Sequence, residues 1–178
     1  MYDQVIGFWF DQASKAHWFA ASEAFDQQVR ERFLSLTQQA AQAELYSWRS
    51  SAKGRLAEII LLDQFSRTIW RGTSKAFSQD PLALALCQEA ISQGALETLN
   101  TDERQFLLMP IMHSESQAIH AWGEPLFKAH TTPEVYEFEL KHKAIIDRFG
   151  RYPHRNRALG RVSSQAEQAF LLEPDSSF

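Results

Sequence analysis

Arginine is concentrated in one short segment near the end of the chain, from Arg148 to Arg161. Its fourteen residues read R-F-G-R-Y-P-H-R-N-R-A-L-G-R and contain five Arg and one His but no acidic residue, although the whole protein has a formal net charge of −4. A guanidinium group binds a carboxylate or phosphate through two parallel hydrogen bonds. The segment therefore predicts an anion site, and the candidate ligand-binding residues are Arg67, Arg148, Arg151, His154, Arg155, Asn156 and Arg161.

The same arginines have a structural interpretation, which the sequence leaves open. They would pair with Asp63, Glu115 and the carbonyl groups at helix C-termini, and so hold the loop in place. Inward-facing acids can neutralise about two of the five arginines in this way. At least one other loop arginine is then expected to line a pocket open to solvent beside His154, and the candidates are Arg151, Arg155, Arg157 and Arg161.

Two charged residues lie on the apolar face of a predicted helix from Gly54 to Trp70. At about 100° per residue, Asp63 and Arg67 fall within its apolar stripe, which is formed by Leu56, Ile59, Ile60 and Trp70. Burying two charges costs several kcal/mol per ion, of which pairing offsets only a part. We therefore expect both side chains to be buried, and to be paired or hydrogen-bonded to the 148–161 segment. They form either a structural ion pair or one wall of a pocket.

His142 has a similar position on a predicted helix from Pro133 to Phe149, with Glu139 beside it. A neutral imidazole next to a carboxylate is the usual arrangement of a proton-transfer group, and Glu115 or Asp63 is the expected partner. A hydrogen-bonded core histidine is the alternative interpretation. The candidate catalytic residues are His142, His113, Glu115 and Asp63.

The sequence does not favour a metal site or a cofactor. Asp63, Glu115 and His142 would offer oxygen and nitrogen ligands only if they met across helices, and no His-Glu-x-x-His motif is present. The chain also lacks a glycine-rich phosphate loop and a Gly-x-Ser-x-Gly elbow. The single cysteine, Cys87, shares a helical stripe with Leu84 and Ile91, which is typical of a core residue.

Helical periodicity covers almost the whole chain. The predicted helices span residues 22–43, 54–70, 80–94, 100–122 and 133–149, and a short last helix begins at Ser163 or Ser164. Asp80 is the predicted N-cap of the third helix, and Pro110 is expected to interrupt the fourth. No segment long enough for a β-strand alternates apolar and polar residues. We therefore predict an all-α fold with six or seven main helices in a single domain, residues 1–178.

Composition limits the classes of partner. The 178 residues are 44% hydrophobic and 22% charged, as in an ordinary globular domain. The net negative charge argues against a surface built for nucleic acid. The apolar run from Val5 to Phe10 lacks a preceding basic region, and no run approaches the roughly 20 residues of a membrane span. We expect a cytoplasmic protein without a membrane partner, and the sequence does not indicate its oligomeric state.

Several of these segments resemble one bacterial family, the domain-of-unknown-function family 924. The matching stretches include V-I-G-F-W-F from Val5, L-L-D-Q-F-S-R-T-I-W-R-G from Leu61, D-P-L-A-L from Asp80, H-S-E from His113 and the loop R-F-G-R-Y-P-H-R-N. The resemblance covers nearly the whole chain. It implies an α-helical domain related to tetratricopeptide-like superhelices, and it implies no reaction. Ser66 stands where proline is commoner in the family, which favours an unbroken helix through Arg67.

Three functional hypotheses follow. The first is a binding module that holds a small anion or an acidic peptide through the arginine-rich loop. The alternative is an enzyme that acts on a small anionic substrate through a histidine and a carboxylate. The third is a structural protein with a rigid buried polar network. A histidine and a carboxylate that face one open site together would distinguish the enzyme from the other two.

Overall fold

The fold is described from a computed structural model, which covers residues 1–174 and 176. Every regular element in those residues is a helix. The seven α-helices of eight or more residues are α1 (Tyr2–Trp9), α3 (Glu23–Ala41), α4 (Ala52–Ile60), α6 (Asp80–Ser92), α8 (Thr101–Met112), α9 (Gln117–His130) and α10 (Pro133–Phe149). The shorter ones are α2 (Gln12–Lys15), α5 (Ser66–Ile69), α7 (Ala95–Thr98) and α11 (Gln165–Phe170). The predicted all-α class is confirmed.

Side-chain caps begin several helices at the residues that the sequence predicted. The hydroxyl groups of Ser22 and Thr132 accept backbone N–H bonds at the starts of α3 and α10. Asn100 and Ser164 each form a reciprocal capping box with the glutamate three residues later. Gly150 ends α10 with a φ of 69°, a left-handed conformation that glycine adopts without strain. Local capping thus fixes both ends of α10, from which the arginine-rich loop departs.

The predicted 54–70 helix differs in detail from the observed one. It begins earlier, at Ala52, and a π-helical turn, Leu61–Phe65, separates α4 from α5. The Ser66 hydroxyl donates to the Leu61 carbonyl oxygen five residues back, at 3.4 Å. The chain stays helical throughout, as Ser66 led us to expect. The wider turn changes the direction of its side chains, however, and Asp63 lies at its centre.

The predicted 100–122 helix is two helices, and the break is not at Pro110. The buried Pro110 lies within α8, two residues before its end at Met112, and the chain leaves the helix at 113–116. Proline lacks the N–H group that would bind the carbonyl four residues earlier, yet the helix continues past it to Met112. Glu115 therefore lies between helices and not on the helix face where we expected it. Helix α1 was not predicted, because its short apolar run shows no clear period.

The hydrophobic core extends from α1 to α9 and includes Trp9, Phe33, Phe65, Phe106 and Phe127. Cys87 is part of this core, as predicted, and burial raises the pKa of its thiol. Consecutive helices α8, α9 and α10 pack on one another, as in the tetratricopeptide-like array implied by the resemblance. A second, smaller cluster joins α10 to the arginine-rich loop and α11 through Ile145, Ile146, Tyr152 and Phe170.

The described residues form one all-α domain. Residues 175, 177 and 178, which the predicted domain includes, lie outside the described part of the chain. No helix that the structure describes is both long enough and apolar enough to cross a membrane.

Candidate functional site

Asp63 is the fully buried carboxylate of the site, and three side chains bind it. Arg67 lies one turn later with Nη1 at 3.2 Å from Oδ1, and the Gln64 amide donates to Oδ2. His113 Nδ1 lies 2.7 Å from Oδ1. Burial alone would raise the pKa of Asp63, but the contacts with His113 and Arg67 outweigh it and lower the pKa. Asp63 is therefore an ionised acceptor in the interior of the protein.

His113 ends α8, where the helix gives way to the loop, and its side chain is 15% exposed. Burial, followed by the positive charge of Arg67, lowers the pKa of its imidazole, so the ring is neutral at pH 7. Because ionised Asp63 can only accept, Nδ1 carries the proton and Nε2 has the lone pair. No group in the described residues forms a hydrogen bond with Nε2. The ring is thus oriented by Asp63 and available at its other nitrogen.

Asp80 links the 54–70 region to the arginine-rich loop. Its carboxylate accepts two hydrogen bonds of 2.9 Å from Arg67, and Oδ2 also lies 3.2 Å from Arg155 Nη1. We predicted Asp80 as a helix N-cap, but Gln79 has that position and Asp80 begins the first turn of α6. The predicted burial and pairing of Asp63 and Arg67 are confirmed, with Arg67 19% exposed. Arg67 is connected to the loop indirectly, because Asp80 binds both Arg67 and Arg155.

Arg155 is 6% exposed and lies between two aromatic rings. Its guanidinium carbon is 4.8 Å from the Phe77 ring centroid and 4.5 Å from that of Tyr152. Within the described chain, its one hydrogen bond to a side chain is the contact with Asp80, and its buried Nε has no partner. Burial, and then the charge of Arg67, lower the pKa of Arg155. Arg155 is therefore a buried cation with unused donors.

Glu115 holds the arginine-rich loop in place. Its carboxylate binds Arg161 through two contacts, at 2.6 and 2.9 Å, and accepts the backbone N–H of Tyr152 at 2.8 Å. Arg161 Nε in turn donates to the Asn156 amide oxygen at 2.9 Å. Burial opposes this arrangement, but the bonds from Arg161 and Tyr152 lower the pKa of Glu115. These contacts correspond to the structural interpretation of the loop.

The remaining loop arginines have different surroundings. Arg151 binds Glu167 through two contacts, at 2.6 and 2.8 Å, and Arg148 lies over the rings of Phe149 and Phe170. Arg157 is exposed. Burial and the adjacent Arg155 lower the pKa of His154 to about 4. Of the arginines in this loop, only Arg155 combines deep burial with unused donors.

His142 lies inside the protein as predicted, but not with the expected carboxylates. Its Nδ1 donates to the Phe138 carbonyl oxygen at 2.7 Å, one turn earlier in α10. Glu139, which we placed beside it, lies 2.7 Å from His120 Nδ1 on α9. Burial is the main cause that lowers the pKa of His142 to about 3. The pairing of His142 with Glu115 or Asp63 is therefore wrong, because those two carboxylates bind Arg161 and His113.

The hypothetical metal ligands are likewise separated. Asp63, Glu115 and His142 each belong to a different pair, and among the described residues no three His, Cys, Asp or Glu side chains converge as a metal site would require. A cavity of about 610 Å³ lies elsewhere, at the start of α3, with Phe8, Phe25 and Arg32 in its wall. The solvent-open pocket beside His154 stays a prediction.

Four residues of the site were not predicted as such from the sequence, namely Asp80, Phe77, His120 and Tyr152. The contact of Asp80 with two arginines depends on the approach of α6 to α5 and the loop, which helical periodicity does not describe. One signal was available, because Asp80 begins a stretch that carries the family resemblance. His120 and Glu139 lie on different helices, so no spacing along the chain connects them.

Comparison with known proteins places this geometry in a family. No curated protein matches the chain. A solved structure titled "Structure of Protein of Unknown Function ATU0120 from Agrobacterium tumefaciens" matches with a TM-score of 0.91 and 33% sequence identity, and the match covers 96% of each chain. The family model described as "Bacterial protein of unknown function (DUF924)" matches residues 5–175. The chain belongs to this family.

Proposed function

We propose that the protein binds a small anion, a carboxylate or a phosphate, at Arg155 beside Arg67 and His113. The observation that carries the proposal is the incomplete pairing of Arg155. This cation is 94% buried, yet it shares its single carboxylate partner with Arg67 and has an Nε without an acceptor in the described residues. A buried donor without a partner costs about 1–3 kcal/mol, and more for a charged group. An anion that supplies acceptors would remove that cost.

The local electrostatics support the same assignment. Arg67 takes both oxygens of Asp80 at 2.9 Å, whereas Arg155 reaches only one of them, at 3.2 Å. The lowered pKa of Arg155 has burial as its first cause and the positive charge of Arg67 as its second. Burial and Arg67 both oppose the charged form of Arg155, and a negative ligand would stabilise that form. The rings of Phe77 and Tyr152 keep the guanidinium group in one plane.

The size of the site favours a small ligand over a peptide. Arg148, Arg151 and Arg161 lie against rings or bind carboxylates, so they do not extend the site along the surface. Of the ligand-binding residues predicted from the sequence, Arg155 and Arg67 are therefore the ones proposed to bind the anion. His154 and His113 are their neighbours. An acidic peptide would need a row of exposed cations, and the exposed arginines of this loop are Arg157 and Arg148, of which Arg148 lies over two rings.

Calorimetric titration with inorganic phosphate and with citrate at low salt tests the proposal. We expect Arg155→Gln to weaken binding at least 10-fold relative to the unaltered protein, because it removes the charge and the unused donors. Arg157→Gln is the matched control, since it removes an exposed arginine from the same loop. Added salt should weaken binding, because Arg67 is 19% exposed and charges near the surface are screened over about 8–10 Å. Equal affinities in all three proteins, or no binding of either anion, would overturn the proposal.

A further inference from the structure

We propose that His113 accepts and returns a proton during a reaction on a small carboxylate- or phosphate-bearing substrate, with Asp63 as the residue that positions its ring. The inference rests on the proposed anion site at Arg155, since that site would hold the substrate. It goes further, because it makes the site catalytic. It is carried by the contact between a fully buried carboxylate and the Nδ1 atom of a ring whose Nε2 stays available.

The Asp63–His113 contact has the geometry that orients a histidine ring for proton transfer at its other nitrogen. The two atoms, Oδ1 and Nδ1, lie 2.7 Å apart, which is short for a hydrogen bond and typical of one with a charged partner. Asp63 is itself fixed by Arg67 and Gln64 within the π-helical turn. The contact fixes both the tautomer and the ring orientation, and the carboxylate compensates the imidazolium that forms when Nε2 takes a proton.

The charges around His113 keep it in the form that can accept a proton. Arg67 faces the ring and opposes its protonation, whereas Asp63 and Asp80 favour it. Burial and Arg67 outweigh the two carboxylates, so the pKa of the His113 imidazole is lowered. The lone pair on Nε2 is therefore present at pH 7. His154, which is also neutral at this pH, adds no charge.

The other buried histidines lack this combination. His120 is fully buried, and both nitrogens have partners, Glu139 at one and the Ser114 carbonyl and Tyr152 hydroxyl at the other. His142 uses Nδ1 for a carbonyl group of its own helix, which does not compensate a positive charge as a carboxylate does. His113 alone among these three has a carboxylate at Nδ1 and an Nε2 without a partner in the described residues.

Iodoacetate provides a direct test, because it is a small carboxylate with a reactive carbon. The Nε2 lone pair attacks that carbon, a C–N bond forms, the C–I bond breaks and iodide leaves with the bonding electrons. The product is an alkylated imidazolium whose Nδ1 proton stays on the side of Asp63. Iodoacetamide undergoes the same step without a negative charge, so the ratio of the two rates measures delivery by Arg155. Peptide mass spectrometry assigns the modified histidine, with His130 at the end of α9 as the internal reference.

We expect iodoacetate to modify His113 at least 10 times faster than it modifies His130, and at least 10 times faster than iodoacetamide modifies His113. Inorganic phosphate should protect His113, and Arg155→Gln should remove the preference for iodoacetate while the iodoacetamide rate stays within about twofold. The pH midpoint of the reaction should lie below the usual 6.5 of a histidine. Arg157→Gln should leave all rates unchanged.

The results separate this inference from the anion proposal. Equal rates for the two reagents at His113, both well above those at His130, would support the reactive histidine and overturn the anion site. If each reagent modifies His113 no faster than it modifies His130, the proposed role of His113 is overturned, even if calorimetry detects phosphate binding at Arg155. A reaction midpoint at or above 6.5 would also contradict it, since burial and Arg67 would not then lower the pKa of the ring.

Discussion

At the scale of single residues, the site is a chain of charges in which each carboxylate serves more than one cation or ring. Asp63 binds Arg67 and His113, and Asp80 binds Arg67 and Arg155. Burying each of these ions costs several kcal/mol, and mutual contact offsets that cost only when the pairs are complete. Removal of one carboxylate would leave the two arginines with a single acid between them.

Asp63→Ala is therefore expected to lower the free energy of unfolding by about 3–5 kcal/mol, because breaking a buried pair leaves an uncompensated charge. Urea denaturation monitored by circular dichroism measures the change. Asp147→Ala is the matched control, because Asp147 pairs with Lys143 at the same i,i+4 type of spacing but is 46% exposed. Such surface pairs contribute about 0.3–0.5 kcal/mol. A loss below about 1 kcal/mol for Asp63→Ala would contradict a buried charge network.

At the scale of elements, helix faces were predictable and the contacts between elements were not. The apolar stripe of the 54–70 helix correctly placed Asp63 and Arg67 inside, because burial follows the 3.6-residue period. The same reasoning placed Glu115 on a helix, whereas the chain leaves α8 after Met112 and Glu115 turns toward the loop. The counterion Asp80 and the partner His113 come from other helices, so they depend on packing between elements that no local pattern encodes.

The loop after α10 depends on Glu115, which lies on a different element. Glu115→Gln would keep an acceptor for the Tyr152 N–H but lose the charge that binds Arg161. We expect the backbone amides from Tyr152 to Arg161 to exchange at least 10-fold faster with solvent deuterium, because the segment opens more often. Hydrogen-exchange mass spectrometry measures the rates, and the exposed Glu137 of α10 provides the control variant Glu137→Gln. Unchanged exchange in the loop would show that its other contacts suffice.

At the scale of the whole molecule, folding removes several histidines from water in their neutral form. Burial lowers the pKa of His142 to about 3 and that of His154 to about 4, and it also lowers the pKa of His113. In the unfolded chain each of them titrates near 6.5. Below that pH the unfolded chain binds protons that the folded protein excludes, so the protein as a whole becomes less stable on mild acidification.

The sign and size of this effect can be measured. A histidine that titrates at 6.5 when unfolded and near 3 when folded lowers the free energy of unfolding by about 2 kcal/mol between pH 7.5 and pH 5. Glu139, whose pKa burial raises, acts in the opposite direction, because it binds its proton more tightly when folded. Urea denaturation at several pH values should therefore show declining stability below pH 6.5, and His142→Gln should reduce the decline by about 2 kcal/mol. His130→Gln is the control variant and should leave the pH dependence of stability unchanged. An equally unchanged pH dependence in His142→Gln would contradict the burial of His142 in its neutral form.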